Sequence, residues 1–356
     1  MSDIQITKTE HSRHNDIDWD NLGFGKHFSD HMFVSDYKDG KWDNGAIVPY
    51  GPFQVEPANC TLHYGQSIFE GLKAFRTETG FNMFRPDMNA KRLNHSARRM
   101  CIPEYDVNHL LHAMQELCKV DFGFIPNHHG QALYLRPFVF GTGNFLGVHA
   151  SDKYRLIVMT SPVASYYAEG LKPVRILVSD EFVRAVKGGT GSAKTAGNYA
   201  ASLLAGKQAN EMGCAQVLWL DAISRNFVDE VGAMNMMFVI GDELITPSLS
   251  HGTILNGVTR NSVLQLAEDM KIKASERAIG IDEIMEAHKS GNLKEAFGTG
   301  TAAVISPVGE LNYKGEAIVI NNMEIGPIAQ KMYDTITGIQ YGKIEDHHGW
   351  NVVVHM

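Results

Sequence analysis

The apolar positions of this chain follow two periods, and the switches between them outline its elements. Residues 133–140, Leu-Tyr-Leu-Arg-Pro-Phe-Val-Phe, alternate as a strand that turns Leu133 and Leu135 to one face and Tyr134 and Arg136 to the other. Apolar runs of strand length recur at 154–160, 174–178 and 215–221. Gly241-Asp242 joins two more, 236–240 and 243–246, as a hairpin. From 25 to 51, turn residues interrupt short apolar runs such as Met32-Phe33-Val34, again the rhythm of hairpins. Helical spacing appears at Leu93, Ala97 and Met100, on a helix that Asn89 is placed to cap, and at Leu110, Leu111, Met114, Leu117 and Cys118, on a helix over 108–120. Further helices are expected at 196–210, after Arg260 with Val263, Leu266, Ala267 and Met270 inward, and at 326–338 with Pro327 near its first position. Residues 1–20 are polar and read as partly disordered. Hairpins outnumber βαβ units, so the class is α+β. Periodicity lapses after Ser161, which divides the chain into an N-terminal domain, 1–163, an interdomain linker, 164–174, and a C-terminal domain, 175–356.

Composition narrows the partners. The 356 residues are 44% apolar and 20% charged, the balance of a soluble globular protein with room for two cores. A net charge of -8 argues against nucleic acid or an anionic membrane as partner, so any bound phosphate must be met by local charge. The four cysteines have no paired spacing and read as reduced, mostly buried thiols of a cytoplasmic protein. None of the sixteen histidines has the spacing of a metal site, and no metal is expected. There is no apolar run of membrane-spanning length and no apolar leader.

The stretch least suited to packing is 186–199, Val-Lys-Gly-Gly-Thr-Gly-Ser-Ala-Lys-Thr-Ala-Gly-Asn-Tyr, whose glycines deliver one lysine, Lys194, to the start of a helix. Two chemistries use such a lysine. As a point charge on phosphates it nearly completes a phosphate-loop pattern with Gly188 and Thr195, although Ala193 stands where a glycine belongs; Asp221 would then serve magnesium. As an amine it would bond covalently to an aldehyde. A solvated loop lysine is the bland third reading. Elsewhere, Glu230 falls in an apolar strand context where a lone carboxylate is costly, and the segments 257–260 and 297–303 read as turns or helix starts with N–H groups suited to anions. Arg92 borders the apolar stripe of its helix, where arginine commonly reaches to water. Pyridoxal phosphate needs this set: a lysine for its aldehyde, a carboxylate for its pyridine nitrogen, and N–H groups plus an arginine for its phosphate.

Seven ordered motifs carry a family resemblance that covers nearly everything from Gly25 to Pro307. They are His63-Tyr64 with Phe69-Glu-Gly-Leu-Lys-Ala-Phe75, Arg85-Pro with Asn89-x2-Arg92, Tyr134-Leu-Arg136-Pro, and Gly188-Gly-Thr-Gly-x2-Lys194-x2-Gly197-Asn198-Tyr199. Glu230-Val-Gly-x-Met-Asn235, Gly257-Val-Thr-Arg260 and Phe297-Gly-x-Gly-Thr-Ala302 complete the series. The chain resembles the branched-chain amino acid aminotransferases, pyridoxal-phosphate enzymes of fold type IV. The lysine loop and Glu-x-Gly-x2-Asn also fit D-amino acid transaminases and aminodeoxychorismate lyases, whereas Tyr134-x-Arg136 and Gly-Leu-Lys-Ala-Phe75 point to the branched-chain members. The resemblance implies a small N-terminal α+β domain, a larger C-terminal domain with a β-barrel-like core, a cofactor between them, and a homodimer in which the partner's small domain closes each site. It further implies that Lys194 is the Schiff-base lysine and proton carrier, that Glu230 pairs with the pyridine nitrogen, and that Tyr199 bonds the ring oxygen. Arg92, the Val258 and Thr259 backbone and Thr301 would hold phosphate. Tyr64 and Ala302 would meet the substrate carboxylate, Phe24, Phe69, Tyr134 and Tyr166 would enclose its aliphatic chain, and Arg136 would meet the distal carboxylate of glutamate. Mammalian members carry a Cys-x2-Cys pair where this chain has Ala303 and Ser306, which removes a thiol switch at that place.

Overall fold

The computed structural model describes residues 4–164 and 171–356. Most of the expected linker, and Tyr166, lie outside the described residues. The chain folds as two compact units. One comprises Met1–Ala168, Ala193–Ala196 and Gly338–Met356; the other comprises Glu169–Ser192 and Gly197–Thr337.

In the first unit the alternating strand is central. Ala132–Gly141 pairs along its length with Tyr154–Val163 on one side. On the other side it pairs with Leu72–Arg76, Lys73 lying opposite Tyr134, and with Ser67–Phe69, Phe69 lying opposite Phe138. His31–Lys38 and Ala46–Pro49 extend the sheet at one end, Gly80–Phe84 and Asn351–His355 at the other. The helices Pro86–Arg99 and Val107–Val120 bring Leu93, Ala97, Leu110, Met114 and Leu117 into one apolar cluster with Leu133 and Leu135. Each fully buried Leu or Met side chain among these contributes roughly 1.5–3 kcal/mol. Period two then commits Tyr134 and Arg136 to the opposite face.

Four expectations are corrected here. Asn89 does not cap the first helix, which begins a turn earlier with Pro86 at its first position; the Asn89 amide instead donates to Glu70 and to the Gly71 carbonyl. The second helix begins at Val107 and not at Asn108, because Asp106 caps it, its carboxylate accepting from the His109 N–H. The described part of 1–20 belongs to the fold: Gln5–Ile6 pairs with Ala46 and Ile47, and Ile4 and Ile17 are buried. Finally, 338–356 belongs to the first unit and not to a domain spanning 175–356, because Asn351–His355 pairs antiparallel with Gly80–Phe84 and Val352 and Val354 pack on the first core.

The second unit is built on a closed barrel of six strands. In order they are Val228–Val231, Gln216–Leu220, Val174–Ser179, Val304–Tyr313, Leu293–Gly300 and Met234–Ile240, the last returning to the first. Glu243–Thr246 joins Met234–Ile240 through the expected hairpin, in which Gly241 takes a φ of 61°. Phe297–Gly300 proves to be barrel strand, so only Thr301–Ala303 remains as a turn. The helix expected at 196–210 is two helices, Ala196–Ala200 and Leu203–Glu211. At the break the Ser202 hydroxyl donates to the Tyr199 carbonyl, a local side-chain bond that competes with the helical ladder. Among the described residues no helix is long and apolar enough to cross a membrane.

Candidate active site

In the first unit, Lys194 is fixed through its backbone before its side chain is considered. Its N–H donates to Ser96 Oγ at 2.9 Å, and its carbonyl accepts from the Phe69 N–H at 3.0 Å. The Thr195 hydroxyl donates to the Ser67 carbonyl at 2.7 Å, and Thr195 bridges Ile68 as a short antiparallel pair. The amine that results lies 4.8 Å from the centre of the Phe69 ring. Arg136 also meets this ring, its guanidinium 4.7 Å from the centre and donating to the Tyr134 hydroxyl at 3.1 Å. Phe24 packs edge-on to Tyr134, with ring centres 5.1 Å apart. Gly71 makes room for this arrangement, since a Cβ there would fall 1.8 Å from the Tyr134 hydroxyl. The Arg136 Nε is buried and has no hydrogen-bond partner among the described residues.

Arg92 does not simply reach to water. Its Nε and Nη2 donate to the two carboxylate oxygens of Glu70 at 2.7 and 2.9 Å, and the Glu70 side chain is 1% exposed. Burial pushes the Glu70 carboxyl up, but the charge and hydrogen bonds of Arg92, with Lys194 and Asn89, outweigh it and hold the group below the usual carboxylate range. Removing one partner of such a buried pair costs about 3–5 kcal/mol. Tyr64 stands apart from this cluster: it is exposed at the end of the helix Cys60–Tyr64, and its hydroxyl donates to the Leu146 carbonyl.

In the second unit, Glu230 sits on the barrel strand Val228–Val231 and is 2% exposed. Its carboxylate accepts from the Leu255 N–H at 2.7 Å and pairs with Arg184 Nε at 2.8 Å. Arg184 is itself buried and also donates to the carbonyls of Thr253, at 2.7 Å, and Gly191. A Cβ at Gly191 would lie 2.3 Å from the Thr253 carbonyl oxygen, so this glycine of the loop serves close backbone approach. Thr190 and Asn198 hold the same loop through paired hydrogen bonds of 2.7 and 2.9 Å. Tyr199, half-buried, lines a cavity of about 110 Å³ together with Arg184, Asn198 and Ala233. Val258 and Thr259 are buried at the first positions of the helix Val258–Asp269, which starts at Gly257 with no side-chain cap. Thr301 and Ala302 form the turn after Leu293–Gly300, and the nearby Thr299 hydroxyl is buried without a partner among the described residues.

Glu70, Arg184 and Ser96 escaped the sequence reading as site residues. Each is marked by a partner 22 or more residues away, or by backbone contacts, and periodicity carries no signal of either kind. Asp221, the acid that a nucleotide site would need, instead organises a turn and accepts five hydrogen bonds from 223–227. Burial pushes its carboxyl up, but those bonds prevail and hold it well below the usual range. Among the described residues no group of three or more His, Cys, Asp or Glu is placed to hold a metal ion.

A closed barrel whose strand carries a buried glutamate, with a glycine-bordered lysine elsewhere in the chain, agrees with what residues 67–311 match: the family model described as amino-transferase class IV. The chain belongs to the class IV aminotransferases. It is 52% identical over 99% of its length, and 96% of the relative's, to a Bacillus subtilis (strain 168) protein named "Branched-chain-amino-acid aminotransferase 2". A solved branched-chain aminotransferase from the archaeon Thermoproteus uzoniensis, with norvaline, superposes with a TM-score of 0.75 at 26% identity, over 90% of this chain and 99% of that one. The T.th. branched-chain amino acid aminotransferase with pyridoxamine 5'-phosphate superposes equally well, with a TM-score of 0.75 at 26% identity, over 90% of this chain and 97% of that one. The residues present suit a phosphorylated aldehyde: an amine and a guanidinium in the first unit, and in the second a buried carboxylate, an uncapped helix start and an unpartnered hydroxyl.

Proposed function

We propose that this protein transfers the amino group of leucine, isoleucine or valine to 2-oxoglutarate, giving branched-chain 2-oxo acids and glutamate, with pyridoxal 5'-phosphate as cofactor. The near-full-length identity to the Bacillus subtilis aminotransferase carries the substrate class. The cofactor, when bound, supplies an electron sink for the charge that develops when the substrate Cα loses its proton. Lys194 would hold the cofactor through its Nζ at the aldehyde carbon, and the same amine, once freed by substrate, would serve as the base at the substrate Cα. Glu230 holds a proton on the pyridine nitrogen, a role supported by its Arg184 partner, which favours the ionised carboxylate at a buried position. The Tyr199 hydroxyl orients the ring oxygen. Arg92, the N–H groups of Val258 and Thr259, and the Thr301 hydroxyl bind phosphate.

Phe24, Phe69, Tyr134 and Tyr166 enclose the aliphatic side chain and exclude water, and Arg136 pairs with the distal carboxylate of glutamate. The aromatic cluster around Arg136, with its unpartnered Nε, supports that division between apolar and acidic substrates. The Ala302 N–H and Tyr64 bind the substrate's own carboxylate. Tyr64 acts on the site of a second copy in a homodimer, a reading supported by its exposure beside exposed Leu62, Leu146 and Val148. Four free cysteines suit a reducing compartment, and we assign the enzyme to the cytoplasm.

The test is spectroscopic. The purified protein should show a visible cofactor band that L-leucine converts to the amine form and that 2-oxoglutarate restores. A protein with no such band, or one whose band responds to D-alanine and not to L-leucine, would refute the assignment.

A further inference from the structure

Glu70 belongs to neither the lysine loop nor the set of groups proposed above to touch cofactor, yet its carboxylate is gripped from several sides. Its two oxygens accept from Arg92 Nε at 2.7 Å, Arg92 Nη2 at 2.9 Å, Asn89 Nδ2 at 2.9 Å and the Gly71 N–H at 3.2 Å. Asn89, Arg92 and Ser96 lie three and four residues apart on the helix Pro86–Arg99, so they share one face. Asn89 and Arg92 grip Glu70, and Ser96 accepts the Lys194 N–H. Phe69, the residue before Glu70, donates its N–H to the Lys194 carbonyl. One helix face and one short strand thereby fix both the guanidinium and the backbone of the lysine, and Glu70 is the link between them.

The side-on pair also fixes the orientation of the Arg92 guanidinium. Nε and Nη2 both donate to Glu70, so the guanidinium is held along one edge. A planar guanidinium clamped along one edge has lost most of its rotamer freedom before any anion arrives, so little remains to be lost on binding. We propose that Glu70 is a positioning residue that holds Arg92 in its phosphate-binding orientation, and so sets affinity for the cofactor's phosphate without touching it. This rests on the assignment of Arg92 to phosphate made above.

The cofactor is stripped from the full-length chain, and dissociation constants are measured by absorbance for pyridoxal 5'-phosphate and for pyridoxal, which lacks the phosphate. Glu70→Gln keeps the shape but places an amide N–H against donors, so the clamp loses at least one charge-assisted bond. Binding of the phosphate form should weaken roughly ten- to hundredfold, with pyridoxal changed less than about twofold. Equal weakening of both ligands, or of neither, overturns the proposal, because a merely structural glutamate makes no distinction between them. Arg92→Gln reports on the underlying assignment: if it leaves affinity for the phosphate form intact, the phosphate role of Arg92 fails and the proposal with it. The double variant Glu70→Gln/Arg92→Gln leaves no buried charge of this pair unmatched and keeps the test available if Glu70→Gln alone does not fold. It should bind the phosphate form no more weakly than Arg92→Gln does. A further loss in the double variant would mean that Glu70 acts otherwise than through Arg92.

Discussion

Two cations on the sheet of the first unit differ in what burial costs them. Arg136 lies between aromatic rings with its Nε unpartnered among the described residues, and in the role proposed for it the partner is the distal carboxylate that only an acidic substrate carries. Arg136→Gln should therefore raise KM for glutamate and 2-oxoglutarate by about ten- to hundredfold, the equivalent of losing one charge-assisted pair, while changing KM for leucine severalfold at most. Steady-state kinetics on both substrates check it; equal losses would make the residue architectural. Lys73, 8% exposed and opposite Tyr134, has its pKa pushed down to about 8 by burial. Because its folded pKa lies below the unfolded value, the charged form penalises the fold fully below pH 8, and the penalty fades as pH rises towards 10.5. Lys73→Met should be the more stable protein at pH 7, with its advantage in urea midpoint shrinking by pH 10. An advantage independent of pH would contradict this account.

Among the elements, those that declare themselves by period were legible, and those that need a distant partner were not. Alternation in 133–140 set the faces of Tyr134 and Arg136 correctly, and Gly241-Asp242 marked its hairpin. The motifs named Lys194, Glu230 and Arg92, but nothing local announced that Arg92 would meet Glu70 or that Arg184 would meet Glu230, since those pairs form only when strands and helices close. Asn89 misled because its residue type suits a cap, whereas its amide satisfies a buried carboxylate. The C-terminal strand was missed for a related reason: 351–355 is a short apolar run whose pairing partner, Gly80–Phe84, lies in the first third of the chain. That pairing leaves a test. A Cβ at Gly80 would fall 2.0 Å from the Val354 carbonyl oxygen, so Gly80→Ala should push Asn351–His355 off the sheet edge. We expect a loss of about 1–3 kcal/mol in stability and faster amide exchange confined to 80–84 and 351–355. Unchanged exchange in both segments would show that the edge strand is not held as described.

For the whole molecule, the net charge is acidic and no helix among the described residues is long and apolar enough to span a membrane. All four cysteines are free, and none stands at Ala303 or Ser306. The account depends most on one atom, the Lys194 Nζ. The direct measurement is borohydride reduction of the cofactor-loaded enzyme followed by peptide mass analysis. The pyridoxyl mass is predicted on the peptide that contains Lys194, and Lys194→Ala should abolish both that label and transamination. A label on Lys73, Lys187 or Lys207 instead, or transamination that survives Lys194→Ala, would contradict the account.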